Sequence, residues 1–311
     1  MMRAADLGVQ MPALPVDRSF SPDYGVAVEV APGVRRVLAR NPNPFTFHGT
    51  GTYIVGRGTV AVIDPGPALD EHVAAILAAT RGETISHILV THTHNDHAPA
   101  AAPLKAATGA LVMGCGPHGS GRVADGVEVE EGGDRSYSPD VQLADGARVR
   151  VGDVSFEAVF TPGHTSNHVC FAAQEVLAFF PGDHVMGWST TVIAPPDGDM
   201  ADYLRSLEKL LALPAFAYYP THGNPIARPH DFVRALIAHR HAREAQIEAC
   251  LAHGLGTIAE MVPVIYSEVD VRLHPAASRS VLAHLQHMVA TGRVACEGVT
   301  GPASRYRRAR G

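Results

Sequence analysis

The 311-residue chain is poor in thiols: Cys115, Cys170, Cys250 and Cys296 are scattered, with no CxxC pair. That spacing offers neither a vicinal redox pair nor a zinc–thiolate knuckle, and it predicts four reduced, mostly buried thiols. There is no run of about 18 or more apolar residues, so no membrane span is expected. The opening stretch, MMRAADLGVQMPALPVDRSF, lacks the continuous apolar segment of an export signal, and a cytoplasmic protein is expected. Internal repeats and low-complexity segments are missing too, which argues against solenoids and disordered arrays. Charged residues make up only 18% against 46% hydrophobic, a folded globular composition with enough chain for a large core and a small appendage.

Charge is unevenly spread. Residues 1–224 carry 14 basic and 24 acidic groups, net −10, whereas residues 225–311 carry 11 and 7, net +4. The final RYRRARG concentrates Arg305, Arg307, Arg308 and Arg310. It reads as a solvated, frayed tail, with a phosphate-contacting segment as the functional alternative.

The segment GVAVEVAPGVRRVLA predicts two strands about the turn at Pro32-Gly33, and GTYIVGRGTVAVIDPG predicts a hairpin turning at Gly56 to Gly58. ALDEHVAAILAAT places Leu69, Val73, Ile76 and Leu77 near helical spacing, and SHILVTH reads as a short buried strand. Further strands are expected over 147–151 and 154–160, and at VCFAA, VLAFF and AFAYYPTHG. MADYLRSLEKLLAL predicts a helix buried through Tyr203, Leu204, Leu207, Leu210 and Leu211. From Asp231 to His253 a long helix is expected, with Phe232, Leu236, Ile237, Ile247 and Leu251 on one face. Beyond it, TIAEMVPVIY and HPAASRSVLAHLQHMVATG read as helices, the latter stopped by Gly292, and RVACEGV with SRYRRA as a small hairpin. That is α/β logic followed by a winged-helix-like α+β region. The boundary falls near 225–230, drawn here as residues 1–228 and 229–311, with the long helix as connector.

Into the loop after SHILV the chain crowds His92, His94, Asp96 and His97. Buried imidazoles each need a partner, so a folding core gains little from such a cluster and a metal site gains much. In extended backbone, residues two apart point the same way, so His92 and His94 can grip one ion; Asp96 and His97, past a turn, can face a second. His164 in TPGHT, Asp183 in PGDH and His222 in YPTHG are further candidates at strand ends, each beside a glycine that lets backbone approach closely. Seven nitrogen and oxygen ligands without cysteine suit two Zn²⁺ ions per chain, with Fe or Mn as lesser options.

THTHNDH, followed in order by His164, Asp183 and His222, resembles the HxHxDH signature of the metallo-β-lactamase superfamily over roughly residues 25–225. The resemblance implies an αββα sandwich of two mixed sheets. Carried over position by position, it places His92, His94 and His164 on one ion and Asp96, His97 and His222 on the other, with Asp183 bridging. Two ions about 3.5–4 Å apart acidify a shared water, and the resulting hydroxide attacks a carbonyl or phosphorus. Asp96 would orient that hydroxide and shuttle its proton, so Asp96 is the catalytic candidate. The resemblance also makes Asp64, in IDPG, the holder of a ligating histidine. His168, Trp188 and Thr190 are candidates either for the substrate side or for supporting positions behind the ligands, His168 as a contact to the leaving group or as such a support. APAAA follows His97 where the superfamily commonly has Gly-Gly, and Thr221 stands where Gly is common.

NPFTFHGTGTYIVG, TPGHTSNHVCF, GDHVMGWSTTVI, DYLRSLEKL and HRHAREAQI are similar to the narrower β-lactamase-like protein 2 family. That resemblance implies either cleavage of single-stranded RNA or thioester hydrolysis on carrier-bound polyketides, and it allows a homodimer. The acidic catalytic body favours a small or carrier-bound ester or thioester. The basic C-terminal region favours the endoribonuclease alternative, and a non-catalytic metal-binding regulator is the third reading.

Overall fold

The computed structural model of the chain describes residues 3–119 and 132–309. One sheet takes seven strands in chain order: β1 (Ala27–Ala31), β2 (Val34–Leu38), β3 (Gly51–Arg57), β4 (Thr59–Ile63), β5 (Thr84–Val90), β6 (Leu111–Gly114) and β7 (Val141–Gln142). β1 to β4 pair antiparallel and β4 to β7 parallel. The connections decide this. Tight turns at Gly33 and Gly58, both at positive φ, reverse the chain between β1 and β2 and between β3 and β4. Helices α1 (Asp70–Ala79) and α2 (Ala101–Thr108) instead carry it across before β5 and β6.

The second sheet has the order β12-β11-β10-β9-β8, from β8 (Arg148–Val151), β9 (Val154–Phe160), β10 (Val169–Ala173), β11 (Ala178–Phe180) and β12 (Ala217–Tyr218). It is antiparallel except between β11 and β12, which are joined through α3 (Met200–Leu211). Alternation along these strands builds two cores. Phe156, Phe171 and Phe180 point between the sheets, against Tyr53, Ile54, Val62 and Leu89. Val159, Cys170 and Phe179 point outward, against Tyr203 and Leu207 of α3 and against Phe232 and Leu236 of α4 (Pro229–Ala252). The expected sandwich of two mixed sheets with flanking helices is the observed one.

The C-terminal region holds α5 (Ile258–Ile265), α6 (His274–Ala290) and a hairpin of β13 (Val294–Cys296) and β14 (Tyr306–Arg308). Thr257 and Glu260 cap α5 reciprocally. A separate core gathers Ile247, Met261, Val281, Leu285, Met288 and Tyr306, with Leu7 from the far end of the chain.

Three expectations need correction. α2 and β6 have no counterpart in the sequence reading, because AAPLKAAT holds a single large apolar residue, Leu104, and shows no periodicity. AFAYYPTHG forms a strand only at Ala217–Tyr218; its end is spent placing a histidine. The arginine segment is not a frayed tail up to Arg308: Tyr306 is buried, its backbone N–H bonds the Gly256 carbonyl, and only the flanking Arg305, Arg307 and Arg308 are exposed. Arg310 lies outside the described residues.

The middle of α4 also departs from the apolar stripe expected of it. Arg240 and Glu244, one turn apart, are both buried. Glu244 gathers the C-terminal helices: His287 Nδ1 meets its carboxylate at 2.6 Å, His284 Nδ1 at 3.4 Å, and Arg293 pairs with it. Burial alone would raise this carboxyl, but those three partners outweigh it and hold it at about 2. A folded-state value below the unfolded 4.5 contributes stability that is present above about pH 4.5 and lost as pH falls toward 2, on the order of 3 kcal/mol. The stability gap between wild type and Glu244→Gln, read from denaturant melts, is therefore expected to be widest above pH 5 and to close on acidification. A gap independent of pH would contradict this.

Candidate metal centre

Five strands deliver their carboxyl ends to one place, the usual position for a ligand site in α/β folds. Asp64 follows β4; His92, His94, Asp96 and His97 follow β5; His164, Asp183 and His222 follow β9, β11 and β12. Gly163 shows how tightly this is assembled. Its φ is +142°, and a Cβ there would lie 2.4 Å from the Tyr203 Cα, so only glycine lets the backbone before His164 pass under α3.

The outward nitrogens of four histidines are committed to acceptors. His164 Nδ1 donates to the Val192 carbonyl (2.7 Å) and His222 Nδ1 to the Gly49 carbonyl (3.1 Å). His97 Nδ1 donates to the Asp64 carboxylate (2.9 Å). The Thr91 hydroxyl spends its proton on Asp64 (2.8 Å), so His92 Nδ1 must donate to that hydroxyl at 3.0 Å. Each of these rings, when neutral, turns a bare lone pair inward. His92 Nε2 and His164 Nε2 lie 3.0 and 3.2 Å from His94 Nδ1, which can donate to one of them but not satisfy both. His97 Nε2 faces Asp96 (3.3 Å) and Asp183 (3.4 Å), and His222 Nε2 faces the same two carboxylates at 3.2 and 3.4 Å. Lone pairs aimed at lone pairs and carboxylates repel unless a cation or a proton sits between them.

The electrostatics divide the cluster. Burial, reinforced by neighbouring imidazoles, holds His92 well below its ordinary value and brings His94 to about 3; His164 is lowered by burial too. This half is neutral. Burial would also lower His97 and His222, but Asp96 and Asp183 overcome it, taking His97 well above its ordinary value and His222 to about 10. The same pairing holds both carboxyls well below the carboxylate range against the opposing effect of burial. Protons recruited in this way are what a metal ion displaces.

The residues present fit such ions. His97 Nε2 and Asp183 Oδ1 are buried with no hydrogen-bond partner. Ligand atoms of a tetrahedral zinc shell, at about 2.0–2.1 Å from the ion, sit about 3.3–3.4 Å apart, against the 3.0–3.4 Å found here. Three overlapping groups have the spacing to hold an ion: His92, His94 and His164; His92, His97 and Asp183; Asp96, His97 and His222.

The structure thus brings all seven sequence candidates together, with Asp64 behind them. Asp64 adopts φ +46° and accepts from the Thr91 N–H (2.8 Å) and hydroxyl, from His97, and from the Thr221 hydroxyl at 3.2 Å. Trp188 and Thr190 line the opening beside Asp96 and Asp183. His168 does not border it: the ring is buried, bound to Thr161 at 2.9 Å and stacked 5.1 Å behind His92, so it contacts no substrate.

Other residues at the site carry no metal-type signature and escaped the sequence reading. Pro44, Phe45, Met186, Ser189 and Val192 complete the wall of the opening. Phe47, at φ +59°, stacks on Trp188 with 4.6 Å between centroids and 8° between planes, and the Thr50 hydroxyl donates to Asp96 at 3.2 Å. The NPFTFHGTG stretch marked that loop by resemblance without pointing to any one of these side chains.

Comparison with known proteins agrees with this geometry. The family model of the metallo-beta-lactamase superfamily matches residues 46–222, and that of the beta-lactamase associated winged helix domain matches residues 257–300. The beta-lactamase-like protein 2 homolog of Caenorhabditis elegans is 30% identical over 86% of this chain and 87% of its own length. The atrochrysone carboxyl ACP thioesterase of Aspergillus fumigatus is 32% identical over 80% of this chain and 78% of its own. Among solved structures, a beta-lactamase domain protein from Burkholderia ambifaria superposes with TM-score 0.77 at 23% identity, covering 95% of this chain and 97% of that one, which shows the shared fold.

Proposed function

The chain belongs to the metallo-beta-lactamase superfamily of hydrolases, and within it we propose a dinuclear zinc thioesterase that releases an acyl group from a carrier-bound thiol. The observation that carries this reading is the set of committed outward nitrogens, which leaves His92, His97, His164 and His222 with inward lone pairs around Asp96 and Asp183. His92, His94 and His164 would hold one ion, Asp96, His97 and His222 the other, with Asp183 between them. Bound there, the ions supply Lewis acidity toward a carbonyl oxygen and bring a water toward ionisation near neutral pH.

The chain's own groups do the rest. Asp96, charged and fixed by the Thr50 hydroxyl, orients the attacking water as an acceptor. Asp64, Val192 and Gly49 keep the histidine tautomers that present lone pairs inward. Pro44, Phe45, Met186 and Trp188 exclude water from the acyl group. No lysine or arginine is among the described residues of the wall, so none of these pairs with a substrate carboxylate or a phosphodiester. Among the described residues of that wall every titratable side chain is a candidate ligand, so none is left to serve as a general acid for the leaving group. A thiol with pKa about 8.5 departs as its anion without one, which an alkoxide does not. The relative named as a carrier-protein thioesterase supports this substrate class. Cleavage of single-stranded RNA is the second reading, favoured by the exposed Arg305, Arg307 and Arg308 beside the winged-helix region.

The test sets zinc-loaded protein against an acyl-pantetheine thioester, read as thiol release, and against labelled single-stranded RNA, with Asp96→Ala as the control. Thiol release by wild type alone, with RNA intact, is the expected result. RNA cleavage without thiol release would overturn the thioesterase reading.

A further inference from the structure

Arg240 is 3% exposed, yet none of the ion pairs among the described residues includes it. The nearest acid along α4, Glu244, is occupied by His284, His287 and Arg293. A buried cation without a counter-charge is unfavourable, and an aliphatic residue would pack there at less cost. What the guanidinium does hold is backbone. Nη2 donates to the Thr191 carbonyl at 2.5 Å, and the group lies 5.0 Å from the centre of the Tyr203 ring, while Nε finds no partner.

Thr191 sits at the hub of the segment that supports the metal centre. Its hydroxyl reaches the carbonyls of Asp183 (2.7 Å) and His184 (3.1 Å). The Tyr203 hydroxyl donates to the same His184 carbonyl at 3.1 Å. The next carbonyl along, that of Val192, fixes the ring of His164 at 2.7 Å. Ser189 and Thr190, just before, line the opening. One hydrogen bond from α4 therefore bears on two candidate ligands, His164 and Asp183, and on the substrate wall.

We propose that Arg240 is a positioning residue for the metal centre: from the helix that carries the C-terminal region, it pins the Thr191 carbonyl and so sets the His164 ring and the Asp183 backbone. This rests on the reading of His164 and Asp183 as ligands. Arginine suits the position because its planar group can stack on Tyr203 while donating sideways, which an ammonium cannot reproduce.

The experiment measures zinc retention by the full chain against a chromogenic chelator, without substrate, for wild type, Arg240→Met, Arg240→Lys and Glu244→Gln. Melting of the metal-free proteins is followed in parallel. Arg240→Met is expected to weaken zinc retention about 10- to 100-fold, the range for losing a group that orients a ligand. Its kcat on the thioester should fall more than its KM changes, and millimolar methylguanidinium should restore part of both readouts. Arg240→Lys should fall between, and Glu244→Gln should lower the melting temperature with zinc retention near wild type. Wild-type zinc retention in Arg240→Met, with only its melting lowered, would overturn the proposal. If that variant does not fold, unchanged retention in Arg240→Lys would overturn it equally. Failure of the thioesterase reading is told apart, since it shows as no thiol release by wild type at full zinc occupancy and leaves the retention series untouched. A wild type that takes up no zinc would overturn the metal reading and this proposal together.

Discussion

Replacing His94 by alanine is expected to reduce thioester turnover on the order of a thousandfold or more, because Lewis-acid stabilisation is worth several kcal/mol and each ~1.4 kcal/mol is tenfold. Bound metal should fall with it. His94 Nδ1 is the atom on which His92 Nε2 (3.0 Å) and His164 Nε2 (3.2 Å) converge. Its side chain is only partly buried, unlike those of His92 and His97. Truncation therefore opens little core, and in the metal-free protein it removes one of three crowded nitrogens. The metal-free melting temperature should stay close to that of wild type while elemental analysis shows the loss of metal. Equal metal content and equal turnover in His94→Ala would sink the assignment of this residue. A loss of turnover accompanied by unfolding would point to packing rather than ligation.

Asp64→Asn is expected to have the second-largest effect, a weakening of metal retention about 10- to 100-fold with a stability cost of about 1–3 kcal/mol. The carboxylate accepts from four donors: the Thr91 N–H on one oxygen, and the Thr91 hydroxyl, His97 Nδ1 and Thr221 hydroxyl on the other. An amide offers only one acceptor atom. Whichever way it turns, its NH₂ group meets at least one N–H or O–H that has nowhere else to donate. The orientation that keeps His97 satisfied sets the NH₂ against the Thr91 N–H; the other frees His97 to change tautomer and withdraw its inward lone pair. Asparagine tolerates the +46° φ at this position, so the substitution tests the carboxylate and not the backbone. Zinc affinity by chelator competition checks it, and wild-type affinity would show that His97 needs no such partner. Thr221→Gly removes the weakest of the four donors, at 3.2 Å, and should cost far less.

Much of this molecule was legible in the chain, for reasons visible at particular residues. The strands about Pro32-Gly33 and Gly58 showed because turn chemistry and β-branched runs are local signals. α3 showed because Tyr203, Leu204, Leu207 and Leu210 repeat at helical spacing. The order THTHNDH, His164, Asp183, His222 named the residues that meet, since histidine and aspartate just after buried strands have few structural uses. α2 stayed hidden because it docks mainly through Ala101 and Leu104. The buried middle of α4 stayed hidden because Arg240 and Glu244 look like solvent-facing charges until their partners from other elements are known.

The amino-acid sequence by itself determined most of the strands and helices and the identity of the clustered side chains, because hydrophobic period, turn residues and ligand chemistry are written locally; the sandwich followed only from the resemblance those clustered residues carry. Only the tertiary structure decided which nitrogen of each histidine turns inward, since that depends on the carbonyls of Gly49 and Val192 and on Asp64, all distant in the chain from the rings they hold. It also decided that a helix outside the sandwich reaches the segment beneath the site, because a hydrogen bond spanning 49 residues leaves no trace in local pattern.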